Sequence, residues 1–504
     1  MSNRRTQVEL AKDARARVVK ERAKLELTAI KARREIIKFQ MSTYRAAKID
    51  RSNRDWLGKT TSADSAIIAD LPRLIARSRQ ECRDNAYAQS CVRAFRRNVI
   101  GTGINPSFAA GDNNGNLYGD FNRKANAQFY DWGRRPVDLE NRRTLLDVQH
   151  WAVSELVTAG EAIIIRLPRI DEAGHKVLKV RCVESEMLDL YKLQHGDNWV
   201  KGGIEVDADG RPVAYHIYKH HPYDVRGAHR SSPIMLESER WPARFVSHIF
   251  DPERVLQTRG VTRFASVLQR LRDLAEFDAS TLQAARAEAN IGLIFKTEAG
   301  VSSSINFDGL NSLDIGPNDE VVSHTPTRPG NTYEPFVKAQ LRAIAAGMGI
   351  GYEQIARDFT GGTYSSQRQG MLEDRREFEP LQHMIIRTLL QPIAEDWLFW
   401  EVNQGRIDAP LYAIYPGLYE YIKWRGQGWA WVDPQKQATG IQMMLELGLT
   451  TKEEQAMELG RDWQELADQR AAEHKYETEK GLAQPVKPST QPTLFDPQAQ
   501  GAAA

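Results

Sequence analysis

Residues 342–378 read RAIAAGMGIGYEQIARDFTGGTYSSQRQGMLEDRREF, two strongly helical segments joined through Thr360-Gly361-Gly362-Thr363-Tyr364-Ser365-Ser366. Paired glycines among short hydroxyl residues favour turns over helix. The stretch therefore reads as two rigid rods with a hinge between them. Arg357 and Arg368 flank the hinge, whose tip is uncharged. Such a joint predicts a mobile polar loop with cations at its base, and it contains no catalytic constellation.

The region before the hinge alternates rod and turn in the same way. Thr262 to Ile291 carries Phe264, Val267, Leu268, Leu271, Leu274, Leu282, Ala285 and Ala289 as one apolar stripe, with Thr262 as N-cap and Gly292 as the stop. Arg263, Arg270, Arg272 and Arg286 share its other face with Asp273, Glu276, Asp278 and Glu288, which suits a solvated helix with ion pairs. Residues 292–335 are rich in Ser, Asn, Gly and Pro and read as short strands and turns. Val337 to Met348 is helical again. After the hinge, residues 367–404 form a long helix, broken or kinked at Pro380 and Pro392.

The N-terminal half changes period. Residues 1–50 hold 14 Lys and Arg against 6 Asp and Glu, and Val18, Leu25, Ala29, Ala32, Ile36 and Phe39 give them a heptad-like helical pattern. Residues 62–100 read as helix and stop at Gly101 and Gly103. Strands follow from 160 to 250. GEAIIIRLPR and VLKVRCVES flank a DEAGHK turn, and GIEV and VAYHIYK flank Asp207-Ala208-Asp209-Gly210. That DxDG has Tyr218 where a calcium loop needs Glu. His216, His220 and His221 lack a matching carboxylate cluster and read as surface or satisfied core histidines.

Aromatics crowd residues 397–431: Trp397, Phe399, Trp400, Tyr412, Tyr415, Tyr419, Tyr421, Trp424, Trp429 and Trp431. They read as core or subunit interface rather than base-stacking platforms. Thr450 to Glu453 looks like a capping box opening a helix through LGRDWQELADQRAAE. The Pro-, Gln- and Ala-rich tail after about 475 is expected to be disordered.

The chain has 68 Lys and Arg against 66 Asp and Glu, a net charge of +2. A tight nucleic-acid binder is usually more basic, whereas near-neutrality suits a surface past which a phosphate backbone can slide. No run of about 18 apolar residues exists, so no membrane helix is expected. The first residues carry no apolar signal-peptide core, which implies a cytosolic product. Cys82, Cys91 and Cys182 sit far from CxxC spacing and are expected reduced and buried, without zinc. There is no GxxxxGK[ST] phosphate loop, HExxH or GxSxG motif, and no strand-borne carboxylate pair with metal-site spacing. No enzyme activity and no cofactor are expected.

Co-linear blocks spanning roughly residues 43–475 together resemble the lambda-type portal family of tailed phages. They are YRAAKIDRSNRDWLGKTTSADSAI with SRQECRDNAYAQSCVRAFRRNVIGTGI, then GIEVDADGRPVAYHIYKHHP, then PARFVSHIFDPERVLQTRGVTRFASVLQRLRDLAEFDASTLQAARAEANIG. LRAIAAGMGIGYEQIARDFTGGTYSSQRQGMLEDRREFEPLQ and WVDPQKQATGIQMMLELGLTTKEEQAMELGRDW complete the set. The resemblance implies an α+β portal fold with wing, stem, clip and crown regions, mainly α with a β-rich wing and clip, assembled as a ring. In that scheme residues 1–42 are a basic helical arm, 43–260 the wing, 261–291 the first stem helix and 292–335 the clip. Residues 336–350 are then the second stem helix, 351–366 the tunnel loop, 367–404 the long wing helix, 405–474 the crown and 475–504 the tail.

The resemblance further implies a channel for double-stranded DNA at the capsid vertex, used in packaging and ejection. Its expected partners are copies of itself, as a dodecamer, with the large terminase subunit, the major capsid protein and a head–tail connector protein. Its expected place is the virion, after assembly in the host cytoplasm. Channel-lining candidates are Arg357, Thr360, Gly361, Gly362, Thr363, Tyr364, Ser365, Ser366 and Arg368, with Arg270, Arg272 and Arg286 on the stem. Candidates for docking terminase or connector are Asn306, Asp308, Asn311, Asp314, Asn318, Asp319 and Glu320. The residues alone leave open two other readings, a metal-dependent nuclease built on scattered carboxylates and a binding module driven by the basic arm.

Overall fold

Hydrophobic runs that lie hundreds of residues apart in sequence meet in one core. The computed structural model describes residues 60–112, 114–172, 174–224, 237–290, 293–296, 304–305, 320–323, 330–426, 428–429, 434–461 and 463–481, with five isolated positions before residue 60. The chain divides into two compact units, Met1–Ser62 and Ala63–Ala504. The basic arm expected at 1–42 lies outside the described residues, apart from single helical positions in 24–31.

The second unit opens with helices α1 (Ala63–Ile67), α2 (Leu71–Asp84) and α3 (Ala86–Phe95). The single helix expected over 62–100 is divided at Asn85. Its backbone turns extended and its side chain accepts from the amides of Tyr87 and Ala88, at 2.9 and 3.5 Å, so that it caps a new helix. Arg96–Ile100 continues α3 as a π-helical turn that ends at Gly101, φ 54°. Strand β1 (Asn105–Phe108), α4 (Gly119–Gly133) and α5 (Leu145–Thr158) follow.

Two antiparallel sheets make up the β-rich part. β2 (Glu161–Ile170) lies between β3 (Lys176–Val183) and β9 (Val246–Phe250), and β4 (Gln194–His195), β5 (Asn198–Lys201), β6 (Ile204–Val206), β7 (Pro212–Tyr218) and β8 (Ser238–Pro242) form the other. Both expected hairpins are present. Their turns close through aspartates: Asp171 Oδ1 accepts from the His175 amide at 2.8 Å, and Asp207 Oδ1 accepts from Asp209 and Arg211 at 3.0 and 2.8 Å. Ile163, Ile165, Ile204, Tyr215 and Ile217 pack between the sheets.

Helix α6 runs Leu268–Asn290, starting six residues later than its pattern predicts. The Thr262 hydroxyl, expected to cap it, is buried and donates to the Val157 carbonyl at 3.1 Å. The same hydroxyl oxygen accepts from the Phe264 amide at 3.2 Å, and residues 263–267 form turns ahead of the helix. Phe264, Val267, Leu268, Leu271 and Leu274 of the expected stripe are buried, but Leu282 is 52% exposed. Beyond α6, β10 (Leu293–Lys296), β11 (Ser304–Ile305) and β12 (Glu320–Ser323) pair in the order β11-β10-β12.

Helix α7 (Tyr333–Met348) returns beside α6. A Cβ on Gly347 would sit 2.4 Å from Val267 Cγ1, so only glycine permits this approach. The short α8 (Tyr352–Ala356) and long α9 (Tyr364–Ile385) follow. Pro380 interrupts nothing. The irregularity is a π-helical turn at Ile386–Leu390, directly before Pro392 in α10 (Gln391–Asn403). There the Gln391 amide bonds Ile386 instead of the residue four back, which widens the turn where proline removes a donor.

The great core joins Phe95, Phe129, Leu156, Ile164, Phe264, Ile344, Phe378, Leu389 and Trp397 to Ile407, Tyr412, Tyr419 and Ile422. Strand β13 (Ile422–Arg425) also pairs with β1. Residues 405–425, part of the crown region expected at 405–474, thus share this core. Of the aromatic cluster, Trp397, Tyr412 and Tyr419 are buried while Phe399, Tyr415 and Tyr421 are exposed. Trp431 lies outside the described residues.

Helices α11 (Pro434–Glu446), α12 (Lys452–Glu458) and α13 (Trp463–Glu479) end the described chain. The capping box sits one residue later than read, on Thr451 and Glu454. Gly460, φ 72°, separates α12 from α13, which the sequence reading joined. Helix α13 also persists to Glu479, past the expected onset of disorder at 475, and residues 482–504 lie outside the described part. The cysteines are free, but only Cys91 is fully buried.

Candidate nucleic-acid interface

The hinge is shorter and more ordered than its composition suggests. Residues 352–356 are helical, and α9 begins at Tyr364 because the Thr363 hydroxyl accepts from the Ser366 amide at 3.3 Å. Tyr364, Ser365 and Ser366 are therefore the first turn of a helix, and the loop proper is residues 357–363. Arg357 occupies the left-handed region at φ 56° and Gly361 at φ 81°. Arg357, Phe359, Thr360, Gly361, Gly362 and Thr363 are exposed, Phe359 by 60%.

The loop is organised by Asp358, which composition did not single out. Its Oδ1 accepts from the Thr360 hydroxyl at 2.5 Å and the Thr360 amide at 3.0 Å. Its Oδ2 accepts from the Tyr352 hydroxyl at 2.9 Å and lies 3.2 Å from Lys338 Nζ on α7. The Thr360 hydroxyl and amide, then Tyr352 and Lys338, hold this carboxyl well below the usual carboxylate range. Gln367 Nε2 donates to the Phe359 carbonyl at 3.1 Å and closes the loop onto α9.

Arg97, on the π turn after α3, donates from Nη2 to Gln354 Oε1 at 2.9 Å, one helical turn before Arg357. Burial first, then the neighbouring Arg357, lowers the Arg97 pKa. Two guanidinium groups thus approach each other at the loop's base. Arg97 was missed because nothing local in RAFRRN marks it as a neighbour of residue 357. Arg368, half-buried, similarly lies near enough to Arg375 to lower its pKa, after burial.

The three arginines expected on a stem divide. Arg270 Nη1 donates to Gln340 Oε1 at 2.5 Å across to α7, and Arg272 Nε pairs with Glu276 at 2.8 Å. Arg286 is exposed. Asn306, Asp308, Asn311, Asp314, Asn318 and Asp319 lie outside the described residues. Of Glu320 only the backbone is described, at the start of β12.

A second polar cluster lies inside the β-rich part. Glu161, Arg259, Ser185 and His248 meet there, all but sealed from solvent. Glu161 accepts from Arg259 Nε at 2.8 Å, from the Gly260 amide at 2.8 Å and from the Ser185 hydroxyl, and His248 Nε2 lies 3.0 Å away. Burial alone would raise the Glu161 pKa, but Arg259 and then His248 hold it well below the usual range. The serine donates to the carboxylate and not to the histidine, so the trio has no nucleophile–base bond. It is a structural lock. Nearby, buried Glu205 is gripped by Arg240 Nε and Nη2 at 2.8 and 3.0 Å, and by Asn198 and His216. Arg240 most strongly, with the other two, lowers its pKa to about 2. His216 is thus a buried, carboxylate-paired histidine. Among the described residues no three His, Cys, Asp or Glu side chains gather as a metal ion requires, and no helix is long and apolar enough to cross a membrane.

A family profile described as "Phage portal protein, lambda family" matches residues 50–382, well over half the chain. A probable portal protein of Halomonas phage phiHAP-1 is 27% identical over 432 residues, covering 80% of this chain and 81% of its own. Portal protein B of Escherichia phage lambda is 22% identical over 484 residues, covering 86% and 89%. A chain from the neck of an empty gene transfer agent particle is 13% identical, with a TM-score of 0.44 over 78% of this chain and 93% of its own, a likeness too weak to bear on assembly.

Proposed function

The chain belongs to the lambda family of phage portal proteins, and on that premise we propose that copies of it close into a ring whose channel conducts double-stranded DNA. The observation that carries this reading to particular residues is the loop at 357–363. It is exposed, tipped with Thr360, Gly361, Gly362 and Thr363, and anchored by Asp358 between two helices. Short polar groups offer phosphates weak, sequence-blind contacts. Arg357, with Arg97 beside it, supplies positive charge at the base without making the tip adhesive. Each neutralised phosphate adds salt-dependent affinity, so a channel lined with many free arginines would hold the duplex instead of passing it. In this reading Arg270 and Arg272 act chiefly between and along the stem helices, and Arg286 is the stem cation open to DNA.

The same reading gives the remaining partners their places. Residues 292–335, which carry strands β10 to β12 between α6 and α7, are the proposed docking region for the terminase and the connector protein. The role is structural, the energy for DNA movement coming from the terminase. The wing faces the major capsid protein, and the protein resides at the portal vertex of the virion after assembly in the host cytoplasm.

Native mass spectrometry with negative-stain imaging of the purified chain tests the ring. Particles near twelve chain masses with a central hole are expected, and a compact monomer at all concentrations would overturn the assembly. Deleting Thr360–Gly362 tests the channel loop while sparing Asp358 and the Thr363 cap. Rings should still form, and DNA packaging or retention should fall. Packaging at the wild-type level would remove the loop from the DNA path.

A further inference from the structure

Lys338 serves two carboxylates at once. Its Nζ lies 2.8 Å from Glu334 Oε1, one turn back on α7, and 3.2 Å from Asp358 Oδ2 in the loop. Both pairings are accessible to water, and Glu334 is the more exposed partner, at 75% against 22%. Asp358 is the only carboxylate of residues 357–363, and Thr360, Tyr352 and Lys338 all converge on it.

We propose that Lys338 and Asp358 form a releasable latch between helix α7 and the loop, with Glu334 holding the lysine when the loop departs. Helix α7 follows residues 291–332 directly in the chain. Its flank is also tied to α6 by Arg270–Gln340 and by the Tyr333 hydroxyl on Asp278 at 3.0 Å. A shift of α7 therefore displaces Lys338, and the loop follows as long as the latch is closed. A buried pair would not do this, because breaking it would strand a charge in a medium that cannot solvate it. Here the Asp358 carboxylate can be taken up by water, and Glu334 is already within reach of the lysine. Tyr352 steadies the closed state: its hydroxyl sits on Asp358, and its ring lies under the Arg342 guanidinium at 5.6 Å. Only the use of the latch in DNA passage rests on the channel reading. The latch itself rests on these contacts.

Amide hydrogen exchange of residues 359–363, measured on the full chain as it assembles and without DNA, tests the latch apart from the channel. Lys338→Met should speed exchange of the Thr360 amide about threefold, the factor that a solvent-exposed ion pair supports. Glu334→Gln removes the alternative partner and should slow exchange by a similar factor. A merely structural salt bridge would not reverse sign between the two variants. Unchanged exchange in both single variants, or acceleration in both, would overturn the latch. DNA packaging by the same variants reports on the channel. A reversal of sign in exchange with packaging unaltered would keep the latch and remove the loop from the DNA path.

Discussion

The buried lock at Glu161 and the exposed loop at Asp358 use the same chemistry and reach opposite ends. Each sets one carboxylate among a cation, a hydroxyl and a backbone amide. Around Glu161 the site is sealed, and Arg259 spends its remaining donors on the carbonyls of Gly202 and Ser185, at 2.6 and 3.1 Å. Around Asp358 nearly every partner touches water. Glu161 also accepts more hydrogen bonds, but it is burial above all that separates a weld from a latch. A surface pair contributes ~0–1 kcal/mol, whereas removing one partner of a buried pair costs about 3–5 kcal/mol.

Arg259→Met should produce the largest effect. It removes the guanidinium and leaves the buried Glu161 carboxylate only His248, the Ser185 hydroxyl and the Gly260 amide, and a loss of about 3–5 kcal/mol is expected in chemical denaturation of the unassembled chain. A companion Glu161→Leu should recover much of that, since two apolar groups leave no uncompensated charge. If Arg259→Met were no more damaging than Lys338→Met, burial would not be what distinguishes the two regions.

Acid should act on the β-rich part through its buried carboxylates. A carboxyl whose pKa is depressed by folding contributes stability that is present above its unfolded pKa, ~4.3, and is lost as pH falls towards the folded value. For Glu205 that window runs from ~4.3 down to about 2. Glu161 is depressed in the same direction and adds to the loss. Denaturation midpoints between pH 5 and 2.5 should decline progressively, and Glu205→Gln should flatten the slope. An equal slope in that variant would assign acid lability to other carboxylates.

Between these extremes lies the α6–α7 crossing. Gly347→Ala places a methyl 2.4 Å from Val267 Cγ1, an overpacking that costs about 1–3 kcal/mol. Val267→Ala in the same chain should relieve it, and a simple loss of Val267 packing would make the double variant worse instead.

The α+β class, the two hairpins and the rod–turn–rod order around residues 261–404 were legible because each rests on local period and turn chemistry. What was illegible was long-range. Arg259 and Glu161 are 98 residues apart, and Arg425 reaches Pro106 across 319, so neither the lock nor the merging of residues 405–425 with the main core leaves a local trace. The late start of α6 was equally hidden: Thr262 accepts from the Phe264 amide as a cap would, yet residues 263–267 form turns before the helix begins. Asp358 was passed over because a lone aspartate in a loop looks solvated until Lys338 and Tyr352 are brought to it.

The smallest effect belongs to the end of the loop itself. Thr363 was read as part of a flexible hinge because Tyr364, Ser365 and Ser366 are indifferent helix formers. Its hydroxyl nevertheless accepts from the Ser366 amide and decides that these residues begin α9. Thr363→Ala should cost roughly 1 kcal/mol, well below the loss at Arg259, while Thr363→Ser should cost almost nothing. Because the cap is exposed, the first turn of α9 should fray without disturbing the core at Phe378 and Leu381. Exchange of the amides at 365–367 should therefore rise while the global denaturation midpoint scarcely moves. A global loss as large as that of Arg259→Met would mean that the loop and the buried lock unfold as one unit, and that the exposed joint is as firmly built as the buried one.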